Sequence, residues 1–298
     1  MKHAHILHNP TAGSQDQSKH DLISLIESNG IECGYSSTKD IKWKKVDQDT
    51  DFLVIAGGDG TVRKVALELL QKERFRKHLP VLLLPMGTAN NISKALGIEG
   101  HEQEIVQMLD NKKVKKYDVG IVEGWKNEKI FLESFGLGVF PKLMKRMKDL
   151  PEREEATPEE NLQLALEELH KIVLSYKPQT LEIRMDSEEL TGKFLMVEVM
   201  NTTSIGPNLK LSPESDPGDG EFELILIPES QREEFASYVS YKISGIEKSF
   251  TPQIIKGKKI VFNAPPGLLH TDDELIKTKK ERKIRISPEW GMMEFFVQ

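Results

Sequence analysis

Five short stretches of the chain carry residue types that chemistry needs. The first is Gly57-Gly58-Asp59-Gly60-Thr61, three glycines set around one aspartate. Glycine admits positive φ and lets bare N–H groups approach a ligand. A glycine turn between a strand and a helix N-terminus binds anions, because N–H groups converge where the helix dipole favours negative charge. An aspartate beside such an anion makes sense when a cation stands between them. The chain contains neither GxGxxG nor GxxxxGK[ST], so those two phosphate motifs are excluded. The second and third stretches, Asn9-Pro10-Thr11-Ala12-Gly13 and Gly87-Thr88-Ala89-Asn90, read alone as a turn and a helix cap. The fourth, Asp216-Pro217-Gly218-Asp219-Gly220-Glu221, is built of turn formers. Its two aspartates, three apart, can also converge on a hard cation, with the Glu221 carbonyl completing the set. The fifth, Asp272-Asp273-Glu274, is an acidic loop by type. A carboxylate able to accept a hydroxyl proton is also what phosphoryl transfer to an alcohol requires.

The elements that must position these residues are legible in the apolar pattern. Phe52 to Ala56 is a short apolar run suited to a strand buried on both faces, and Val62, Val65, Ala66, Leu69 and Leu70 follow at helical spacing. Ala4 to His8, Ile31 to Tyr35 and Val81 to Leu84 read as further strands. A helix carrying Leu22, Ile23, Leu25 and Ile26 and a short helix ending at Gly97 stand between them. The alternation predicts a parallel sheet with ligand loops at the carboxyl ends of its strands, among them Ser36 to Asp40 with Thr38. Beyond Tyr117 the texture changes. Strands are expected over 119–122, 129–135, 181–185, 192–200, 221–227 and 258–263, which indicates an antiparallel sheet or sandwich. Helices are expected over 141–150 and 158–176, joined by an acidic link. The second reads as ordinary packing; the first, with Leu and Met on a Lys/Arg-rich helix, suits either packing or an acyl chain.

Composition bounds the partners. With 298 residues, 38% hydrophobic and 30% charged, the chain is long enough for about two domains. A formal charge of −6 does not favour nucleic acid or an anionic membrane in bulk. Local clusters such as Lys142, Lys145, Arg146 and Lys148 leave a peripheral membrane contact open. Cys33 is alone, so no intrachain disulfide forms, and no apolar run nears twenty residues. A cytoplasmic location is expected, with membrane-peripheral contact left open.

GGDGT at 57–61 and PxGTxN at 85–90, preceded by NPTAG at 9–13, resemble the diacylglycerol kinase catalytic family, which includes YegS-type, sphingosine and ceramide kinases. The FxxSFGLG stretch at 131–138, the turn at 216–221 and the triplet at 272–274 fall in the family's order. The resemblance implies an NAD-kinase-like α/β domain of Rossmann type over 1–118, rejoined by a strand at about 288–298. It also implies an all-β sandwich lipid-kinase domain over 119–287 with a helical insertion at about 141–176. It implies ATP, cradled by Gly57, Gly58, Gly60 and Thr61 with Asn9, Thr11, Gly13, Thr38, Gly87, Thr88 and Asn90, and Mg²⁺ faced by Asp59. A metal site is implied at Asp216, Asp219 and Glu221. Glu274, or Asp272 beside it, is implied as the base that accepts the hydroxyl proton of diacylglycerol or a related lipid. Dimers occur in the family, so a homodimer is left open. Two positions depart from its pattern: Asp273 stands for a glycine, and Asn91 for an aspartate. The rival readings are an NAD kinase, which shares GGDGT but would need an Asn-Glu pair at its second motif, and a silent nucleotide- or lipid-binding regulator.

Overall fold

The computed structural model describes residues 2–12, 18–40, 46–47, 49–71, 79–87, 89–151 and 157–298. Its contacts divide the chain into two units. Unit 1 takes Met1–Val119, Pro217–Asp219 and Trp290–Gln298, and unit 2 takes Gly120–Asp216 and Gly220–Glu289.

Unit 1 begins with β1 (His3–His8), α1 (Lys19–Glu27), β2 (Glu32–Ser37), β3 (Phe52–Gly57) and α2 (Asp59–Gln71). It continues through β4 (Val81–Pro85), α3 (Asn91–Leu96) and α4 (Glu102–Asn111). Strand β1 pairs in parallel with β2 and β3, and β3 in parallel with β4. The apolar run of β3 is buried throughout, as a central parallel strand covered on both faces requires. Helix α1 starts on a capping box, in which Ser18 Oγ accepts the Asp21 N–H and the Asp21 carboxylate accepts the Ser18 N–H. Two long strands, β5 (Val114–Glu123) and β17 (Arg282–Phe296), contribute residues to both units. At the end of β17, Phe295 pairs in parallel with Val81, and it packs edge-on against Tyr117 while Phe296 meets Phe52. The parallel sheet therefore runs β2–β1–β3–β4 and then the last turn of chain.

Unit 2 holds β6 (Lys129–Phe131), β7 (Ser134–Gly138), α5 (Val139–Asp149), α6 (Pro158–Ser175), β8 (Gln179–Met185) and β9 (Glu188–Met200). It also holds the short pair β10 (Ser204–Ile205) and β11 (Leu209–Lys210), then β12 (Phe222–Pro228) and α7 (Arg232–Ile243). The last strands are β13 (Gln253–Gly257), β14 (Ile260–Ala264), β15 (Gly267–Thr271) and β16 (Glu274–Thr278). Its described strands pair antiparallel, and neighbours follow β16–β15–β7–β9–β8–β14, with β12 also on β9. The two-residue period of the strands feeds two separate cores. On β12, Phe222, Leu224 and Leu226 enter an all-strand core with Phe131, Phe135, Phe194 and Phe262. Ile225 and Ile227 enter a second core beneath α5, α6 and α7 with Leu166, Val173, Phe235 and Tyr238. Met144 and Met147 of α5 are partly buried against that second core, so the packing half of the two-way reading is observed.

Several elements differ from the sequence expectation. The single strand expected over 129–135 is two strands, because the N–H groups of Leu132, Glu133 and Ser134 turn to the carboxylate of Asp272 instead of a ladder partner. Helices α4 and α7, the β10–β11 pair, β13 and the β15–β16 hairpin are additional. The acidic link at 152–156 lies outside the described residues.

Candidate active site

In unit 1, the parallel register brings the loops of interest to one edge. His8 stands beside both Ser37 and Ala56, and Gly57 beside Pro85, so the loops leaving β1, β2, β3 and β4 all depart from the carboxyl end of the sheet. Asn9, Thr38, Gly57 to Thr61, Gly87 and Asn90 are therefore brought to one edge. Asn9 joins two of these loops: its N–H donates to Ala56 O at 2.9 Å, and its Nδ2 donates to Thr61 Oγ1 at 3.3 Å. Its Oδ1 accepts the Thr11 N–H at 3.3 Å and the Thr11 hydroxyl at 3.1 Å. Lys64, on α2, donates to the carbonyl of Thr38.

The glycines are there for space. A Cβ on Gly57 would lie 2.5 Å from Thr61 Oγ1, and a Cβ on Gly58 would lie 2.9 Å from the Cα of Gly87. The reverse approach, from Gly87 to Gly58 Cα, is 2.7 Å. Two loops thus meet backbone to backbone, and neither tolerates a side chain without moving. Asn90, at φ 50°, closes its own loop: Oδ1 accepts the Gly87 N–H at 2.8 Å and Nδ2 donates to Gly87 O at 2.7 Å.

Asp59 does more locally than the sequence reading allows. Its Oδ2 accepts the Asn91 N–H at 2.9 Å and its Oδ1 the Ile92 N–H at 3.0 Å, so it caps α3 while opening α2. Burial pushes its carboxyl above the usual carboxylate value, against the opposing pull of these backbone N–H groups. Gly13 and Thr88 lie outside the described residues.

In unit 2, the acidic triplet sits on the two-residue turn of the β15–β16 hairpin, where Thr271 pairs with Glu274. Asp272 takes the left-handed conformation at φ 49°, which Asp tolerates better than most residues. Asp273 is not among the positive-φ residues, so its place in the turn imposes no need for glycine. The Asp272 carboxylate is buried and accepts the N–H groups of Leu132, Glu133 and Ser134 at 2.8 to 3.1 Å. Glu274 is exposed and holds Lys129 of β6 at 3.0 Å. Sequence reasoning missed Lys129, which has no motif and is set there only by the strand pairing.

Also missed is a buried pair behind the turn. His270 Nε2 lies 2.7 Å from Glu198 Oε1, and its Nδ1 lies 2.9 Å from the carbonyl of Asp272; both side chains are 0% exposed. A lone histidine in an apolar strand gives no signal for this. A cavity of about 690 Å³ in unit 2 is lined by Leu137, Ile172 and Leu269 with Lys142, Lys177 and Lys277. Lys277 is three residues from Glu274 on the same strand, so the two side chains leave opposite faces of the hairpin.

Asp216 and Asp219 are exposed, and Gly220 turns the chain at φ 80° ahead of β12. Among the described residues no three Asp, Glu, His or Cys side chains gather as a metal cluster would. A cation here would rest on two carboxylates and the Glu221 carbonyl, an all-oxygen donor set that suits Mg²⁺.

Comparison with known proteins sharpens the picture. A model of the diacylglycerol kinase catalytic domain matches residues 3–122, and one of the YegS C-terminal NAD kinase beta sandwich-like domain matches residues 150–274. The chain belongs to the diacylglycerol kinase catalytic family. It is a lipid kinase by that membership. It is 28% identical to a diacylglycerol kinase of Bacillus subtilis (strain 168) over 82% of this chain and 80% of the relative. It is 25% identical to a candidate lipid kinase of Staphylococcus aureus (strain MSSA476), over 91% of this chain and 85% of the relative. A crystal structure of a diacylglycerol kinase from Bacillus anthracis shares the fold at a TM-score of 0.69 and 18% identity, covering 100% of this chain and 97% of the other. The α/β unit with a β-sandwich partner expected from the sequence is thus the observed fold class. Among the described residues no helix is long and apolar enough to cross a membrane.

Proposed function

We propose that this lipid kinase transfers the γ-phosphoryl group of ATP, with Mg²⁺, to a hydroxyl of diacylglycerol or a related lipid. The observation that carries the reading is the convergence of Asn9, Thr38, Gly57 to Thr61, Gly87 and Asn90 on one carboxyl edge, with Gly58 against Gly87. Loops stripped of side chains where a helix begins suit a polyphosphate, which is bound by N–H groups and needs close approach. Asn9 and Asn90 fix these loops before any ligand arrives, so little ordering cost falls on binding.

The acceptor proton goes to a carboxylate. Of the two candidates, Glu274 is the base: Asp272 spends its oxygens on three backbone N–H groups, which weakens it as a proton acceptor, whereas Glu274 is exposed and oriented by Lys129. As the acceptor O–H proton moves to Glu274, the oxygen bonds to the γ-phosphorus and the bond to the ADP oxygen breaks. Asp216, Asp219 and the Glu221 carbonyl would hold Mg²⁺, which would supply positive charge to the phosphate oxygens. Asp59 contributes by fixing the start of α3 to the start of α2.

The test is incorporation of label from γ-labelled ATP, with Mg²⁺, into diacylglycerol in mixed micelles, with NAD as a parallel acceptor. Label in the organic phase that falls at least 10²-fold (roughly, for a lost general base) in Glu274→Gln supports the reading. Label in NAD alone, or no label despite ATP binding, refutes it.

A further inference from the structure

Three adjacent strands of unit 2 place His270, Gly136 and Glu198 in one row, with His270 beside Gly136 and Gly136 beside Glu198. Residues in such a row share a face. The outer two stand on strands roughly 10 Å apart, twice the usual strand spacing. They meet because the middle residue has no side chain: a Cβ on Gly136 would lie 2.1 Å from Glu198 Oε2. Gly136 has no positive φ, so this vacancy, and not a backbone need, is what the glycine provides. Phe140 of α5 closes the site edge-on over the imidazole, with ring centroids 4.7 Å apart.

The hydrogen-bond roles follow from the acceptors. A carbonyl only accepts, so His270 Nδ1 donates to Asp272 O. Nε2 lies 2.7 Å from Glu198 Oε1, and despite burial this neighbour raises the imidazole above its usual pKa, which favours an imidazolium that donates through both nitrogens. A buried ion pair of this kind is weak evidence of net stabilisation against an apolar packing of equal volume. Its geometry is directed instead at the main chain of Asp272, the left-handed residue whose carbonyl sets the direction of the turn into Glu274.

We propose that Glu198 and His270 are positioning residues for phosphoryl transfer, holding the Asp272 carbonyl and thereby the turn that aims Glu274. Neither touches the acceptor. The inference rests on the assignment of Glu274 as base, and adds that the base is aimed from beneath the sheet by a charged pair. Glu198 orients the ring, the ring holds the carbonyl, and the carboxylate of Asp272 anchors the other side of the turn to residues 132–134.

The decisive comparison is made in a Glu198→Gln background, so that no variant leaves an unpaired buried carboxylate. Added His270→Asn places an amide nitrogen where Nδ1 stood and keeps the donor to Asp272 O. Added His270→Phe keeps the volume and removes it. The assay is lipid phosphorylation with γ-labelled ATP over a range of both substrates, together with hydrogen exchange at residues 272–275. The expected result is kcat lower in the Phe variant than in the Asn variant by on the order of 10²-fold, the scale of a misplacement near 1 Å. KM values should be unchanged, and exchange at 272–275 should be faster only in the Phe variant. Equal kcat in the two folded variants, or equal exchange at the turn, overturns the proposal. Glu274→Gln is run in parallel: full activity there overturns the base assignment, while the exchange comparison still decides whether the pair holds the turn.

Discussion

Replacing Gly136 by alanine isolates one steric fact. The new methyl would stand 2.1 Å from Glu198 Oε2 and 2.5 Å from the carbonyl oxygen of Val197, and no backbone strain is added because φ there is not positive. Overpacking of this kind costs about 1–3 kcal/mol. Swinging the carboxylate away from His270 splits a pair in which both side chains are 0% exposed, a loss of about 3–5 kcal/mol. Against this, alanine narrows the unfolded ensemble by about 0.4–1 kcal/mol. The balance is a destabilisation of about 5 kcal/mol. Urea unfolding followed by circular dichroism and by hydrogen exchange in β7, β9 and β15 reads it. In a Glu198→Ala background the carboxylate is gone, and the cost of Gly136→Ala should fall by about 2 kcal/mol or more, the signature of residues in contact. A cost below about 1 kcal/mol in the wild-type background, or an equal cost in both, would refute the claim that this glycine exists to make room for the pair.

The pH response of unit 2 should carry the same pair's signature. Burial by itself lowers the His270 pKa, but the Glu198 carboxylate and the Asp272 carbonyl outweigh it and leave the folded value above 6.5. The stabilisation is therefore complete below pH 6.5 and lost as pH rises through the folded value. Wild type minus Glu198→Gln/His270→Asn, compared by urea unfolding from pH 6 to 10, should give a difference that shrinks upward; a difference that grows would contradict the charge assignment. Gly58→Ala and Gly87→Ala each drive a methyl into the facing loop, so ATP affinity measured by calorimetry should fall at least tenfold (about 1.4 kcal/mol); unchanged affinity in both would refute the need for close approach. Asp59→Ala removes the cap of α3 and should cost about 1–2 kcal/mol, with faster hydrogen exchange at Asn91 and Ile92; unchanged exchange there would remove the capping role.

What could be read from the sequence was whatever a local pattern decides. The buried strands 52–57 and 81–85 announce themselves as continuous apolar runs between turn residues, and the fold class follows from their alternation with helices. The break between β6 and β7 could not be read, since it is made by Asp272, some 140 residues away in the chain. Helix α7 hides because Phe235, Ala236, Tyr238 and Val239 are mixed with serine and tyrosine and yield little apolar contrast. The glycine-rich loops were visible as motifs, but their meeting at Gly58 and Gly87 depends on strand order. Asp59 reads as a cation-facing group by type, and only the placement of α3 shows its oxygens on Asn91 and Ile92. His270 and Glu198 were silent for the same reason: a histidine in GLLHT and a glutamate in MVEVM become partners only when a third strand passes between them.

The return of the chain to unit 1 bears on how the protein is made. Met293, Phe295 and Phe296 fill the core of unit 1, and Gly291 donates its N–H to Asp118 Oδ1 at 2.7 Å. A ribosome delivers the first strands and loops of unit 1 early and its closing strand only after all of unit 2 has emerged. Unit 1 must then wait with an open edge on β4 while unit 2, complete by residue 289, is free to fold ahead of it. Order of synthesis and order of folding are thereby reversed: the half that appears first finishes second, and a nascent chain arrested before Trp290 would carry a folded unit 2 beside an unfinished unit 1.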